Sequence, residues 1–182
     1  MNREQFAHII RAASDISGQR DIIVFGSQAI LGAMSERRLP AAAWVSNEVD
    51  LVLDGQPGGA EVEGIMGLDS SFHKLHGIYA DVVGINTSKL PRGWRRRLIP
   101  FENDQTQPGR GLCLERHDLA VAKLIAGRDK DLAFVSALYD QRLLSASTMA
   151  RRLEFVDGAT KAQLERARAW VAARRPTTQP KP

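Results

Sequence analysis

The sequence predicts a protein of the α/β (α+β) class, with a small mixed sheet flanked by helices and followed by a C-terminal helical cap. Short apolar segments rich in β-branched residues alternate with helical patterns up to residue 115, and only helical patterns follow. The length of 182 residues fits one domain. We therefore expect residues 1–115 to form the α/β core, residues 116–175 a helical cap of the same compact unit, and residues 176–182 a disordered tail.

The first elements follow from local patterns. Apolar residues at helical spacing predict a helix over residues 3–17, and Gly18 is a suitable end for it. The apolar run at residues 21–25 predicts a buried strand. A helix is then predicted over residues 28–38, and Pro40 breaks the pattern.

Four further short apolar segments predict the rest of the sheet. Glycine and proline at residues 54–59 predict a loop, and a helical stretch is predicted around residues 60–68. The predicted strands are residues 48–53, 77–83, 97–101 and 111–114.

The predicted cap consists of four helices. Asp118 is a suitable N-cap for the first of them, and Gly127 ends or bends it. The predicted helices are residues 119–126, 128–139, 146–155 and 159–174.

Composition excludes several classes of protein. No run of 18 apolar residues is present, so the sequence predicts no membrane span. The first 14 residues carry Glu4 and His8 within their apolar pattern, unlike a signal peptide. The single cysteine, Cys113, cannot form an internal disulfide. We therefore expect the protein to reside in a reducing cytoplasm.

Positive charge is unevenly distributed along the chain. The formal net charge is +4, and this surplus lies C-terminal to residue 150. A second basic run, residues 92–97, contains Trp94. Such a run can bind phosphates and stack a base, which would indicate a nucleic acid partner. Alternatively, Trp94 packs inward, and the arginines and the basic C-terminal segment are solvated surface.

One group of residues indicates chemistry. Gly26 and Ser27 follow the first strand and precede a helix, where backbone N–H groups and a hydroxyl can bind phosphate. Glu48 and Asp50 are two residues apart on the next strand, so their carboxylates point to the same face. Asp81 is a candidate third carboxylate. Such a cluster favours a hard divalent cation such as Mg²⁺, with room for two metals.

This pattern resembles the nucleotidyltransferase superfamily with the DNA polymerase β-like fold. The resemblance rests on an apolar segment ending in Gly-Ser, a helix, and alternating acidic and apolar residues on a strand. Residues 118–132 are similar to the helical part of bacterial minimal nucleotidyltransferases of the domain-of-unknown-function 6036 group and its AbiE-type toxin relatives. The resemblance spans residues 1–155.

The resemblance implies a reaction and a set of binding residues. A nucleotide would pass from a nucleoside triphosphate to a hydroxyl, with release of pyrophosphate and Mg²⁺ as the cofactor. Gly26 and Ser27 would hold the triphosphate, and Glu48 and Asp50 would bind metal. The superfamily usually has Asp at the position that Glu48 occupies here. The implied residues on the helical side are Lys123, which would approach the phosphates, and Arg128 and Asp131, which would line or brace the cleft.

Two hypotheses of different classes remain open at this point. In the first hypothesis the protein is a nucleotidyltransferase, in the setting of a toxin–antitoxin or phage-defence pair with RNA or tRNA as acceptor and an antitoxin as partner. In the second hypothesis it is a non-catalytic nucleotide- or RNA-binding module, such as an antitoxin or regulatory partner. A small-molecule acceptor is a third possibility. Convergence of Glu48, Asp50 and Asp81 within about 5 Å would favour a metal site.

Overall fold

The computed structural model describes residues 1–53 and 58–174, which form one apolar core covered by helices. Part of the predicted loop at residues 54–59, and the whole predicted tail, residues 176–182, lie outside the described residues. The helices are α1 Arg3–Ser17, α2 Ala29–Ala33, α3 Gly59–Met66, α4 Ser71–His76, α5 Arg116–Ala126, α6 Asp129–Asp140, α7 Ala146–Leu153 and α8 Lys161–Ala172. The strands are β1 Asp21–Val24, β2 Glu48–Val52, β3 Tyr79–Val82, β4 Ile99–Phe101 and β5 Arg110–Cys113.

The five strands form a single mixed sheet in the order β3-β2-β1-β5-β4. β1 is parallel to β5, and β2 is parallel to β3. β1 and β2 are antiparallel, as are β4 and β5. The prediction of an α/β protein with a mixed sheet is therefore confirmed.

The first helix forms as its sequence predicts. Asn2 accepts a hydrogen bond from the Gln5 amide, and the Gln5 side chain accepts one from the Asn2 amide, so the N-terminus carries a capping box. At the other end, Gly18 adopts a left-handed conformation with φ +70°, which glycine reaches without steric cost. Phe6, Ile9, Ile10 and Ala13 on the apolar face of α1 are buried, and Ile16 is partly buried, so this helix covers one side of the core.

The region after β1 differs from the prediction of one helix over residues 28–38. Only the five residues of α2 are α-helical, and 3-10 helices follow at Glu36–Arg38 and Ala41–Ala43. Gly32 lowers the helical propensity, and Met34 is extended. The helix α4 is not predicted from the sequence. Ser70 is its N-cap, and the Ser70 side chain accepts a hydrogen bond from the His73 amide.

The cap helices occur where the sequence predicts them, with one correction. Glu115, and not Asp118, is the N-cap of α5, because the Glu115 carboxylate accepts a hydrogen bond from the His117 amide. Asp118 is buried in the first turn, where Arg97 and Arg152 donate to its carboxylate. In the part of the chain that the structure describes, no helix is both long and apolar enough to cross a membrane.

Candidate active site

The three acidic residues come together on one face of the sheet. In the parallel register of β2 and β3, Asp50 lies directly opposite Asp81, and Glu48 lies opposite Tyr79. Directly paired residues on neighbouring strands project to the same side, as do residues two apart on one strand. One carboxylate oxygen from each of Glu48, Asp50 and Asp81 therefore lies within 4.8 Å of the others.

The electrostatics of this acidic cluster are unfavourable without a cation. Burial, together with the negative charges of Glu48 and Asp81, raises the pKa of Asp50 to about 6. Burial also raises the pKa of Asp81, with contributions from Glu63 and Glu48. Three converging carboxylates are hard oxygen ligands of the kind that Mg²⁺ binds. The donor set therefore fits a divalent cation, whose charge would offset their mutual repulsion.

Gly26 lies directly against this cluster. Its φ of +63° is in the left-handed region, and a Cβ at this position would overlap Oδ2 of Asp50. The backbone also links the two strands here, because the amide of Phe25 donates to the carbonyl oxygen of Asp50. Gly26 and Ser27 both line the same cavity as the three carboxylates. The predicted Gly-Ser turn and the predicted acidic residues thus form one site.

The cavity has a volume of about 890 Å³, and its opposite wall is basic. Lys123 from α5 and Arg128, the N-cap residue of α6, line it. Both cations bind Asp131, which is fully buried: Lys123 Nζ lies 2.9 Å from Oδ1, and Arg128 Nε lies 2.6 Å from Oδ2. Burial favours the neutral acid, but the hydrogen bonds from Arg128 and Lys123 outweigh it and lower the pKa of Asp131.

Lys123 is therefore not a surface lysine that extends into solvent. Its side chain is only 12% exposed, and Nζ lies 5.2 Å from the centre of the Phe134 ring. Its positive charge also acts on Asp50 across the cavity. An acidic wall facing a basic wall can hold a metal on one side and the anionic phosphates of a nucleotide on the other.

Two residues of the site were not identified from the sequence. The Tyr79 hydroxyl donates a hydrogen bond to Oε2 of Glu48 at 3.0 Å. Burial and this bond raise the pKa of Tyr79 to about 12, so the hydroxyl keeps its proton at neutral pH. Lys89 lines the cavity from the segment after β3. The position of Tyr79, two residues before Asp81, is the signal that would have placed it on the same face.

The basic run at residues 92–97 divides into two parts. Trp94 packs inward, edge-on against Phe25 with ring centres 5.3 Å apart, which agrees with the second of the two interpretations of this run. Arg97 is tied to Asp118 at 2.8 Å. Arg92, Arg95 and Arg96 are exposed.

Part of the positive charge near the C-terminus also has a structural explanation. Arg152 pairs with both Glu115 and Asp118 at 2.6 Å. Arg166 donates to the carbonyl oxygen of Ile125 at the end of α5. Arg174 stacks on the Trp170 ring at 3.7 Å. These three arginines bind within the fold, which weakens the case for a polyanion partner on this segment.

One comparison with known proteins identifies the family of the chain. No curated protein and no solved structure gives a significant match to the chain. The model of one family, described as a nucleotidyltransferase of unknown function (DUF6036), matches residues 4–154. This range contains the acidic cluster, the Gly-Ser turn and the basic wall, and it confirms the resemblance found in the sequence. The chain therefore belongs to the DUF6036 family of nucleotidyltransferases.

Proposed function

We propose that the protein is a Mg²⁺-dependent enzyme that transfers a nucleotide from a nucleoside triphosphate to a hydroxyl acceptor. The observation that carries the proposal is the convergence of Glu48, Asp50 and Asp81 within 4.8 Å, across a cavity from Lys123 and Arg128. Membership of a nucleotidyltransferase family supports the nucleoside triphosphate as the donor. A site that had lost catalysis would be expected to lack one of these carboxylates.

The three carboxylates would hold the metal, with Glu48 and Asp50 on β2 and Asp81 on β3 as ligands. A Mg²⁺ ion held there would supply Lewis-acid stabilisation of the negative charge that develops on the phosphates. Asp50 lies directly opposite Asp81 and two residues from Glu48 on the same strand, so its carboxylate is next to both of the other proposed ligands.

Other residues of the chain would bind and orient the reactants. Gly26 and Ser27 hold the triphosphate beside the acidic cluster, and Lys123 and Arg128 neutralise its negative charge from the opposite wall. The acceptor oxygen forms a bond to the α-phosphorus, and the bond from that phosphorus to the oxygen bridging to the β-phosphate breaks. Pyrophosphate leaves with those bonding electrons, and the hydroxyl proton passes to Asp81.

RNA, and the end of a tRNA in particular, is the acceptor we propose. Residues 84–97 carry five basic residues and no acidic one. Lys89 of this segment lines the cavity, and Arg92, Arg95 and Arg96 are exposed on the same segment. Such a rim attracts a phosphate backbone. The corresponding setting is the cytoplasm of a bacterium, with the protein as the toxin of a toxin–antitoxin or phage-defence pair and an antitoxin as its partner.

The test is transfer of label from each radioactive nucleoside triphosphate to total bacterial RNA in the presence of Mg²⁺. The wild type is compared with the double variant Glu48→Gln/Asp50→Asn. This variant should fold, because it removes two repelling charges. A matched control, Glu4→Gln/Asp15→Asn, neutralises two exposed carboxylates of α1.

We expect labelled RNA with the wild type and the α1 control, and none with the double variant at the acidic cluster. Full activity of that double variant would overturn the metal assignment. Nucleotide binding by the wild type without transfer to RNA would favour the non-catalytic module.

A further inference from the structure

Glu48 needs more restraint than the other two carboxylates of the acidic cluster. A glutamate carries its carboxylate one methylene farther from the backbone than an aspartate does, and it has one more rotatable bond. Fixing that additional freedom costs conformational entropy whenever the side chain is ordered. A metal ligand that is already held in place avoids this cost when the metal binds.

Tyr79 supplies such a restraint. It lies opposite Glu48 in the parallel register of β2 and β3, and its hydroxyl donates to Oε2 of Glu48 at 3.0 Å. This hydrogen bond reaches the Glu48 carboxylate from outside the acidic cluster.

The ring of Tyr79 is itself in contact with a second aromatic ring. The ring of His73 lies 4.9 Å from the ring of Tyr79, at an interplanar angle of 59°. His73 Nδ1 in turn accepts a hydrogen bond from the backbone amide of Asp69 at 3.1 Å. The helix α4 thus packs an ordered imidazole against the tyrosine, which limits rotation of its ring.

We propose that Tyr79 is a positioning residue that orients the Glu48 carboxylate for the divalent cation. This inference rests on the proposed function, because it assumes that the acidic cluster binds metal. The hydroxyl acts on the metal only through Glu48. Its removal should therefore weaken metal binding while leaving the basic wall and metal-free nucleotide binding unchanged.

The test measures Mn²⁺ binding, by the loss of the electron paramagnetic resonance signal of free Mn²⁺, in parallel with nucleotide binding in EDTA. Tyr79→Phe should raise the Mn²⁺ dissociation constant about 10-fold, as is typical when a partner of a metal ligand is removed. Its nucleotide affinity in EDTA should stay within about twofold of the wild type, because Lys123 and Arg128 are untouched.

The matched control is the other tyrosine of the chain. Tyr139 also donates a hydrogen bond through its hydroxyl, to the carbonyl oxygen of Arg174, at the end of α6 away from the cavity. Tyr139→Phe should therefore bind Mn²⁺ like the wild type. Thermal unfolding of both variants in EDTA checks that each is folded.

A double-mutant cycle separates positioning from a general structural role. The shorter side chain in Glu48→Asp no longer reaches the Tyr79 hydroxyl. Adding Tyr79→Phe to Glu48→Asp should then change the Mn²⁺ dissociation constant by less than about twofold. His73→Leu, which keeps the hydroxyl but removes the imidazole, should weaken Mn²⁺ binding in the same direction as Tyr79→Phe and by less.

The outcomes are distinguishable. Unchanged Mn²⁺ binding by Tyr79→Phe, or an equal loss in the wild-type and Glu48→Asp backgrounds, would overturn the positioning role while leaving the metal site intact. Failure of the wild type to bind Mn²⁺ with or without nucleotide would overturn the metal site, and the role of Tyr79 with it.

Discussion

The carboxylate of Asp50 occupies the space that a side chain on Gly26 would need. A Cβ built on Gly26 would overlap Oδ2 of Asp50 and lie 2.8 Å from its Cγ. Gly26 also has a left-handed backbone conformation. The glycine is therefore required twice, once for the turn after β1 and once so that the acidic cluster can approach the backbone beside Ser27.

We expect Gly26→Ala to abolish metal-dependent nucleotide transfer and to weaken Mn²⁺ binding, because the new methyl group must displace Asp50. The matched control is Gly18→Ala. Gly18 has a similar φ of +70°, but a Cβ there would meet nothing within 4 Å. Gly18→Ala should lose about 1 to 2 kcal/mol of unfolding free energy from the left-handed residue, and Gly26→Ala should lose more, because its methyl group must also displace Asp50. Gly18→Ala should keep activity; if it loses activity equally, the contact with Asp50 is not the cause.

A second prediction concerns the basic wall of the cavity. Lys123→Met keeps the apolar stem but removes the charge that faces the phosphates, so the Michaelis constant for the nucleoside triphosphate should rise by about 10-fold or more. Mn²⁺ affinity without nucleotide should not fall, because Lys123 is not a metal ligand. Isothermal titration calorimetry with each ligand separates the two effects. Lys74→Met, at an exposed position on α4, is the control and should change neither.

A third prediction concerns the ion pairs that join the basic run to the cap. Asp118 is fully buried and pairs with Arg97 and Arg152. Asp118→Asn removes the negative charge that both arginines face, so the unfolding free energy measured in urea should fall by about 3 kcal/mol. Asp157, by contrast, pairs with Arg92 at 3.4 Å, with both side chains more than two-thirds exposed. Asp157→Asn should cost less than about 1 kcal/mol. Similar costs for the two variants would contradict this assignment.

The sequence was sufficient for the parts of the site that depend on local pattern. Glu48 and Asp50 share a face because they are two residues apart on one strand. Asp81 was a candidate only, because its direction depends on the register between β2 and β3, and a slip of one residue would have turned it away. That register is set across a connection containing α3 and α4, which no local pattern fixes.

The same dependence on how elements pack together explains the side-chain contacts of the site that the sequence does not predict. The bond from Tyr79 to Glu48 depends on the strand register. The pairing of Lys123 with Asp131 depends on the left-handed turn at Gly127 between α5 and α6, where a Cβ would overlap the Arg166 side chain. Periodicity predicts a helix, but such contacts between elements determine where its side chains are held.

A fourth prediction concerns the dependence of stability on pH. The raised pKa of Asp50, about 6 when folded against 3.8 in an unfolded chain, means that the folded state holds this proton more tightly. Its contribution to stability is therefore present below pH 4 and is lost as the pH rises through about 6. In EDTA, the unfolding free energy of the wild type relative to Asp50→Asn should fall by about 2 kcal/mol between pH 4 and pH 7.5. Asp131 and Glu115, whose lowered pKa values act in the opposite direction, are present in both proteins and cancel.

Mg²⁺ should reverse part of this loss, because it binds the deprotonated carboxylates and competes with the proton on Asp50. The increase in the wild-type unfolding temperature on adding Mg²⁺ should therefore be larger at pH 7.5 than at pH 5, and it should be absent in Glu48→Gln/Asp50→Asn. The α1 control, Glu4→Gln/Asp15→Asn, should respond like the wild type. An increase of equal size at both pH values, or in the double variant at the acidic cluster, would mean that Mg²⁺ binds elsewhere on the protein.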